Sequence, residues 1–197
     1  MSKRLSHMIA DFLLHKKAID AEEAEICQYG YEVLIYGIEQ IIILLILGWL
    51  SGQIVPTCIY LLIFTSIRKY AGGYHANTRV GCTIVTILAW MVTITFIKVV
   101  SGMNIGMDKL IVLCLFYFFV MLYYAPVEHE KKPLFETQKK RNKQKTIILS
   151  LVYMVIALLA YLSLSVITYS VIFTMMNVAM LIIIEKFRKG DTKDEIN

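Results

Sequence analysis

Long apolar runs separated by short polar stretches dominate this chain. Each of six runs approaches or reaches the roughly 20 residues that a helix needs to cross a hydrocarbon core about 30 Å thick. Lipid offers backbone polar groups no other partner, so every run is predicted to be an α-helix, even where Ile and Val are frequent. The runs cover residues 33–50, 54–67, 80–100, 110–124, 146–164 and 167–184.

The composition agrees with a membrane protein. Of 197 residues, 58% are hydrophobic and 18% are charged, and the mean hydropathy of +0.65 is too high for a soluble domain of this length. The second and fourth runs are short, so they are expected to tilt little, to thin the bilayer or to be partly re-entrant. We therefore predict an all-α, polytopic helical membrane protein with about six transmembrane or re-entrant helices, forming a single integral membrane domain over residues 1–197.

Residues 1–30 are predicted to be an amphipathic N-terminal segment. They mix basic and acidic residues and lack the long apolar stretch of a removable signal peptide. Apolar side chains recur at helical spacing, which favours a helix lying on the bilayer surface. A soluble helix packed on the domain remains the alternative. The apolar positions are Leu5, Met8, Ile9, Phe12 and Leu13.

Basic residues predict the orientation of the chain. If all six runs cross the membrane, the N-terminus and the cations of segments 68–79, 131–145 and 186–189 lie on one side of it. The only cations on the other side are Lys98 and Lys109. The positive-inside rule then places both termini and segment 68–79 in the cytoplasm, with the spans in the plasma membrane. The net charge of +5 lies mostly on this face, so it does not call for a nucleic-acid partner.

The polar connection 126–145 is predicted to be a basic cytoplasmic loop. It carries seven cations between residues 131 and 145. One interpretation is a topology anchor that contacts anionic membrane lipids. The other is a docking site for an acidic segment of a partner peptide, to which Lys139, Lys140 and Arg141 would contribute.

The polar segment 68–82, between the second and third runs, holds the candidate chemistry. His75 precedes Cys82 by seven residues. A neutral imidazole can take a thiol proton, and the resulting thiolate is a strong nucleophile. With Asn77 or Thr78 as N-cap, Cys82 would lie in the first turns of the third span, where cations and the helix N-terminus favour the thiolate.

The remaining three cysteines lack these surroundings. Cys58 and Cys114 lie inside apolar runs, and Cys27 has no nearby base. No Cys or His spacing typical of a metal site is present, so neither a metal nor a cofactor is predicted.

Helix geometry constrains the pairing of His75 with Cys82. On one continuous helix, seven residues would separate them by about 10.5 Å of rise, too far for proton transfer. Gly72 and Gly73 are expected to break the helix before the histidine, so that His75 lies on a turn or half-helix that folds back over the third span. Spacing alone leaves open both a catalytic dyad and a histidine that merely occupies the membrane interface. Two roles are open for Arg68: its side chain extends to the lipid headgroups, or it binds a carboxylate or carbonyl group of a substrate.

The polar segment contains the sequence Arg68-Lys69-Tyr70-Ala71-Gly72-Gly73-Tyr74-His75-Ala76, followed by Cys82. This pattern resembles the signature of the accessory gene regulator protein B family. Those proteins are bacterial membrane endopeptidases that process quorum-sensing propeptides. The similarity extends to the charged N-terminus, Tyr29-Gly30, the number of spans, Ala125-Pro126 and Lys131-Lys132-Pro133. The resemblance implies that Cys82 is the nucleophile and His75 the general base, with supporting roles for Arg68 and Gly73.

The resemblance also implies a substrate and a reaction. The substrate would be a short propeptide with an amphipathic leader, a signal core containing Cys or Ser, and an acidic C-terminal tail. Cleavage of the tail through an acyl-enzyme thioester would allow the core to cyclise to a thiolactone or lactone. A membrane transporter or exporter of a peptide or small solute is the alternative function, and a non-catalytic scaffold is a further one. A transporter should carry functional polar groups near the bilayer midplane, whereas here they cluster at one surface. A homodimer is left open.

Overall fold

The part of the chain that the structure describes consists of α-helices joined by short connections. The computed structural model describes residues 2–16, 19–74, 78–103, 105–127, 135–162 and 165–194. Six of its helices are long and apolar enough to cross a membrane, which confirms the predicted all-α, polytopic architecture. The helices are α1 (Ser2–His15), α2 (Ala21–Leu50), α3 (Ile54–Ala71), α4 (Arg79–Ser101), α5 (Met107–Tyr124), α6 (Glu136–Ala160) and α7 (Ser165–Asp194).

The two spans predicted to be short are longer as helices than as apolar runs. Helices α3 and α5 contain 18 residues each, which corresponds to a length of about 27 Å. Helix α3 continues through Arg68 and Lys69, whose long side chains can reach the headgroups from a helical backbone. Helix α5 begins at Met107, and Asp108 in its first turn interacts favourably with the helix dipole. Both helices are thus nearly as long as the hydrocarbon core is thick.

Helix α6 begins ten residues before the apolar run that predicted it. Its N-terminal turns contain Glu136, and Lys139 Nζ lies 2.9 Å from Glu136 Oε1. An acidic residue at the helix N-terminus and an ion pair three residues apart both favour helix. The second half of the predicted basic loop is therefore helical.

The chain divides into two compact units, residues 1–49 and residues 50–197. The first contains α1 and α2 up to Trp49. Helix α1 is the predicted amphipathic helix, and its side chains Leu5, Met8 and Phe12 are exposed, as an interfacial placement requires. Within the described part of segment 1–30, α1 ends at His15 and α2 begins at Ala21.

Helix α7 is the central helix of the second unit and packs against α3, α4, α5 and α6. In its membrane span 61% of the residues are buried, compared with 22% to 39% for the other four helices. Small side chains allow helices to approach closely in lipid, where no hydrophobic effect drives their association. The small residues buried on α7 are Thr168, Ser170, Thr174 and Ala179.

Hydrogen bonds donated by side chains connect the helices of this unit within the apolar region. Asn177 on α7 donates to two acceptors on α4, the carbonyl oxygen of Ala89 at 2.7 Å and Thr93 Oγ1 at 2.8 Å. Such bonds in lipid contribute about 0.6–2 kcal/mol each. Three further pairs link α3 to α4, α3 to α6 and α5 to α6: Trp90 with Thr57, Ser66 with Tyr153, and Tyr117 with Ser150.

One end of the second unit collects the segments that the sequence predicted to be functional. There Val127 N donates to Ala71 O at 2.9 Å, and Lys145 Nζ lies 4.9 Å from the ring centroid of Tyr70. These contacts join the C-terminal end of α3 to the α5–α6 connection and to the N-terminal turns of α6. At the opposite end, Tyr161 and Tyr169 donate to carbonyl groups of the α4–α5 connection. Which end faces the cytoplasm remains a prediction.

Candidate functional site

Cys82 lies in the first turns of α4, half-buried. Thr78 caps this helix: its backbone is extended and its Oγ1 accepts a hydrogen bond from Gly81 N at 3.1 Å. Cys82 N donates to Thr78 O at 3.0 Å, and Thr86 Oγ1 donates to Cys82 O at 2.9 Å. Thr78, one of the two predicted caps, therefore starts the helix, and the thiol stands at the positive end of the helix dipole.

Two glycines end α3, as predicted. Gly72 has φ +74° and ψ −147°, and Gly73 has φ +130°; residues with a Cβ rarely adopt such backbone angles. A Cβ on Gly72 would also collide with the carbonyl oxygen of Val127, whereas one on Gly73 would meet Ile182 Cγ1 at an ordinary 3.7 Å. The sequence resemblance singled out Gly73. The close approach at Gly72 was missed because Val127 is distant in sequence.

The guanidinium group of Arg68 donates a hydrogen bond to the backbone carbonyl of Tyr74. Its Cζ also lies 5.0 Å from the ring centroid of Phe64, one turn earlier on α3. The arginine thus ties the end of α3 to the segment that follows the glycines, a role that sequence reasoning did not consider. Since a guanidinium has five N–H donors, contact with a substrate remains compatible with this bond.

His75 falls among residues 75–77, which lie outside the described residues. Its pairing with Cys82 and the folded-back turn therefore stay predictions. The residues on either side are described: Tyr74 contacts α7, and Thr78 caps α4.

Tyr74 is held against the C-terminal half of α7. Its backbone N–H donates to the carbonyl oxygen of Leu181 at 3.3 Å, and its ring centroid lies 5.2 Å from Cζ of Arg188. Arg188 Nη2 in turn bonds Glu185 Oε1 at 2.9 Å, and the Glu185 side chain is only 2% exposed. The sequence pattern indicated only basic charge in this region. The available signal was a carboxylate at the end of an apolar run with an arginine three residues later.

The basic N-terminal turns of α6 lie next to this region. Lys140 and Arg141 are exposed, whereas Lys139 forms the ion pair with Glu136 described above. Lys69 Nζ and Lys145 Nζ lie 5.6 Å and 4.9 Å from the ring centroid of Tyr70. Lys131 and Lys132 lie outside the described residues. Lys145 of α6 therefore lies beside the end of α3 that leads to His75.

An apolar cavity of about 520 Å³ opens between α4, α5 and α7. Its wall on α4 begins at Val85, three residues after Cys82 and thus about 4.5 Å further along the helix axis. Thr93 and Asn177, already bonded to each other, are the polar side chains in the wall. The cavity thus follows the same face of α4 as the candidate nucleophile.

The other cysteines are dispersed: Cys27 is half-buried, Cys58 is exposed and Cys114 is buried. Within the described ranges, no three His, Cys, Asp or Glu side chains come close enough together to bind a metal ion.

Comparisons with known proteins give one consistent family. The family described as accessory gene regulator B (AgrB) matches residues 6–184. AgrB-like protein 2 of Clostridium perfringens strain 13 is 31% identical over 165 residues, which cover 81% of this chain and 77% of that protein. An AgrB-like protein of Listeria innocua is 31% identical over 160 residues, 79% of this chain and 76% of that protein. No solved structure matches the chain.

Proposed function

This chain belongs to the accessory gene regulator B family, and on that premise we propose that it is a membrane-embedded cysteine endopeptidase that processes a quorum-sensing propeptide. Family membership supports a role in the accessory gene regulator quorum-sensing system, and the six apolar helices support a multi-pass membrane protein. The proposed substrate is a short amphipathic propeptide with an acidic C-terminal tail. Cys82 and His75 are the proposed catalytic residues.

The observation that carries the proposal is the location of Cys82. Its side chain is half-buried at the capped N-terminus of a transmembrane helix, so that a peptide at the membrane surface can reach the thiol. Cys114 is buried and Cys58 is exposed within the span of α3, where a thiol is an ordinary small apolar group. Cys82 is therefore better placed as a nucleophile than Cys58 or Cys114.

In the first proposed step, His75 takes the proton from Cys82 Sγ, and the thiolate attacks the carbonyl carbon between the signal core and its tail. The C–N bond breaks, the tail nitrogen receives a proton from His75, and the core remains attached to Cys82 as a thioester. The positive end of the α4 dipole is suited to stabilise the negative charge that develops on the carbonyl oxygen.

In the second step, a thiol or hydroxyl of the bound core attacks the thioester carbonyl. The new bond closes a thiolactone or lactone ring, the bond to Cys82 Sγ breaks, and the cysteine regains a proton. Exchange of one thioester for another is nearly isoenergetic, so thiolactone closure needs no ATP. It does require that water be excluded and that both ends of the core be held close together.

The basic end of α6 supports capture of an acidic tail. Lys140 and Arg141 are exposed in the N-terminal turns of α6, from which Lys145 contacts the Tyr70 ring of α3, and they can attract carboxylates from solution at long range. Lys139 forms an ion pair with Glu136 and should therefore contribute less than Lys140 and Arg141 to this attraction.

The test is cleavage, in proteoliposomes, of a synthetic propeptide of the proposed class, with an amphipathic leader, a core containing Cys or Ser, and an acidic C-terminal tail. We expect Cys82→Ala and His75→Ala each to abolish release of the tail. Wild type should accumulate a thioester that hydroxylamine cleaves. Cys27→Ala, Cys58→Ala and Cys114→Ala are matched controls that should retain most of the activity.

Normal cleavage by Cys82→Ala would exclude this mechanism. If that variant still supported signalling in cells without cleaving the propeptide, a scaffold role would be favoured instead. If wild-type vesicles moved the intact peptide across the bilayer without cleaving it, the protein would be a transporter.

A further inference from the structure

We propose that Glu185 and Arg188 of α7 are positioning residues that orient His75 by clamping the residue before it, Tyr74. This inference rests on the proposed function, because it assigns the clamp to the general base of that reaction. Consecutive Cα atoms are about 3.8 Å apart, so a rotation or shift of Tyr74 moves the attachment point of the His75 side chain. A general base must approach its proton donor to within about 3 Å. Small shifts of Tyr74 would therefore change how well His75 can take the proton from Cys82.

Backbone contacts first fix the segment that leads to His75. Ala71 O accepts from Val127 N, and Gly72 N donates to Arg68 O. Tyr74 N donates to Leu181 O, while Tyr74 O accepts from the Arg68 guanidinium. The segment is thus tied to three elements: α3, α7 and the α5–α6 connection.

The side-chain clamp holds the ring of Tyr74. The Arg188 guanidinium lies over this ring, with Cζ 5.2 Å from its centroid. A planar guanidinium both stacks on an aromatic face and donates to a carboxylate in its own plane. The bond from Arg188 Nη2 to Glu185 Oε1 is 2.9 Å long and sets the orientation of that plane over Tyr74.

Burial distinguishes this pair from an ordinary surface ion pair. The Glu185 side chain is 2% exposed and that of Arg188 is 36% exposed. A buried carboxylate needs a charged or hydrogen-bonding partner, so the geometry of Arg188 is determined from the interior of the bundle. Neighbouring Lys186 is exposed on the same turn of α7, and it provides a matched control.

The first test is steady-state kinetics of propeptide cleavage in proteoliposomes. We expect Arg188→Met, which keeps the apolar stem but removes the guanidinium, to lower kcat by about tenfold or more with KM unchanged. Tyr74→Leu should give the same loss. Arg188→Lys, which keeps the charge but loses the planar group, should recover only part of the rate. Lys186→Met should behave as wild type.

The second test asks whether the clamp acts through His75. In a background where Cys82 is the remaining cysteine, its alkylation by iodoacetamide at neutral pH reports how readily the thiol loses its proton. We expect Arg188→Met and His75→Ala each to slow alkylation by several-fold. The double variant should be no slower than His75→Ala alone, because residues acting as one unit are not additive.

Two results would overturn the clamp. The first is a wild-type kcat in Arg188→Met; if the melting temperature of that variant is also lower, the pair has only a structural role. The second is an equal slowing of alkylation by Arg188→Met whether or not His75 is present. These outcomes differ from failure of the proposed function, which cleavage by Cys82→Ala would show.

Discussion

Replacement of Gly72 by alanine should separate backbone strain from steric collision at the end of α3. Gly72 occupies a backbone region used almost solely by glycine, and forcing another residue into such a region costs about 1–3 kcal/mol. The added Cβ would also strike the carbonyl oxygen of Val127. That carbonyl cannot simply move away, because Val127 N bonds Ala71 O at 2.9 Å, and loss of this bond would cost about 1 kcal/mol. We expect Gly72→Ala to lower the free energy of unfolding by about 2–4 kcal/mol.

Three other glycines provide matched controls. Gly52 also has positive φ, +67°, but a Cβ there meets nothing within 4 Å, so Gly52→Ala isolates the backbone cost of about 1–2 kcal/mol. Gly73→Ala adds strain with ordinary contacts only. Gly37 lies within α2 in open space, so Gly37→Ala should be neutral or stabilise the protein by up to about 1 kcal/mol.

The assay is SDS-induced unfolding in dodecyl maltoside micelles, followed by circular dichroism, with propeptide cleavage measured on the same preparations. Gly72→Ala should be the least stable of the four variants and should lose most of its activity, since the displaced segment leads to His75. The reasoning is refuted if Gly72→Ala is as stable as Gly52→Ala, because the contact with Val127 would then impose no cost.

Three further predictions test topology, electrostatics and packing. Met103 and Leu162 are exposed at one end of the second unit. In a background without the native cysteines, Met103→Cys and Leu162→Cys should each react with an impermeant maleimide added outside the cell. Labelling of Thr137→Cys from outside would show that the predicted orientation is reversed. Neutralising Lys139, Lys140 and Arg141 together to Gln should raise the KM for the propeptide by about tenfold at low salt and weaken its salt dependence, with kcat unchanged. Lys98→Gln, at the opposite end of the unit, is the control for this charge neutralisation. If KM is unchanged and membrane insertion fails, the basic turns of α6 serve only as a topology anchor. Asn177→Leu should lower the unfolding free energy by about 1 kcal/mol in SDS titrations, and a double-mutant cycle with Thr93→Val should show coupling. Additive effects would mean that the bond between Asn177 and Thr93 contributes nothing to stability.

The helices could be predicted from the sequence because lipid leaves the backbone few options. Apolar runs located all six spans, and the glycine pair marked the end of α3. Boundaries were less accurate, since a helix continues into polar sequence where propensity and dipole allow it. Helix α6 is the clearest case: its first turns contain Glu136, Lys139 and other residues that hydropathy assigns to a connection.

The contacts that organise the candidate site could not be predicted, because they join residues distant in sequence. Hydropathy does not reveal that α7 is the central helix, since an evenly apolar span shows no preferred face. The collision between Gly72 and Val127 and the stacking of Arg188 on Tyr74 follow from that packing. His75 and Cys82 were identified from their chemistry and from the resemblance, and their pairing is still a prediction.

Three cations show that counting charges does not reveal what an individual charged group contacts. The positive-inside rule counts Lys and Arg near span ends, and it treats Arg68, Lys145 and Arg188 as equivalent. In the folded unit, Arg68 bonds the Tyr74 backbone, Lys145 lies near the Tyr70 ring, and Arg188 joins the Tyr74 ring to Glu185. Orientation depends on the number of such charges, so replacing one of them by another cation should preserve topology. Positioning depends on the shape of the group, so Arg188→Lys should insert correctly and still lose part of its activity. That difference separates the two roles of a single residue.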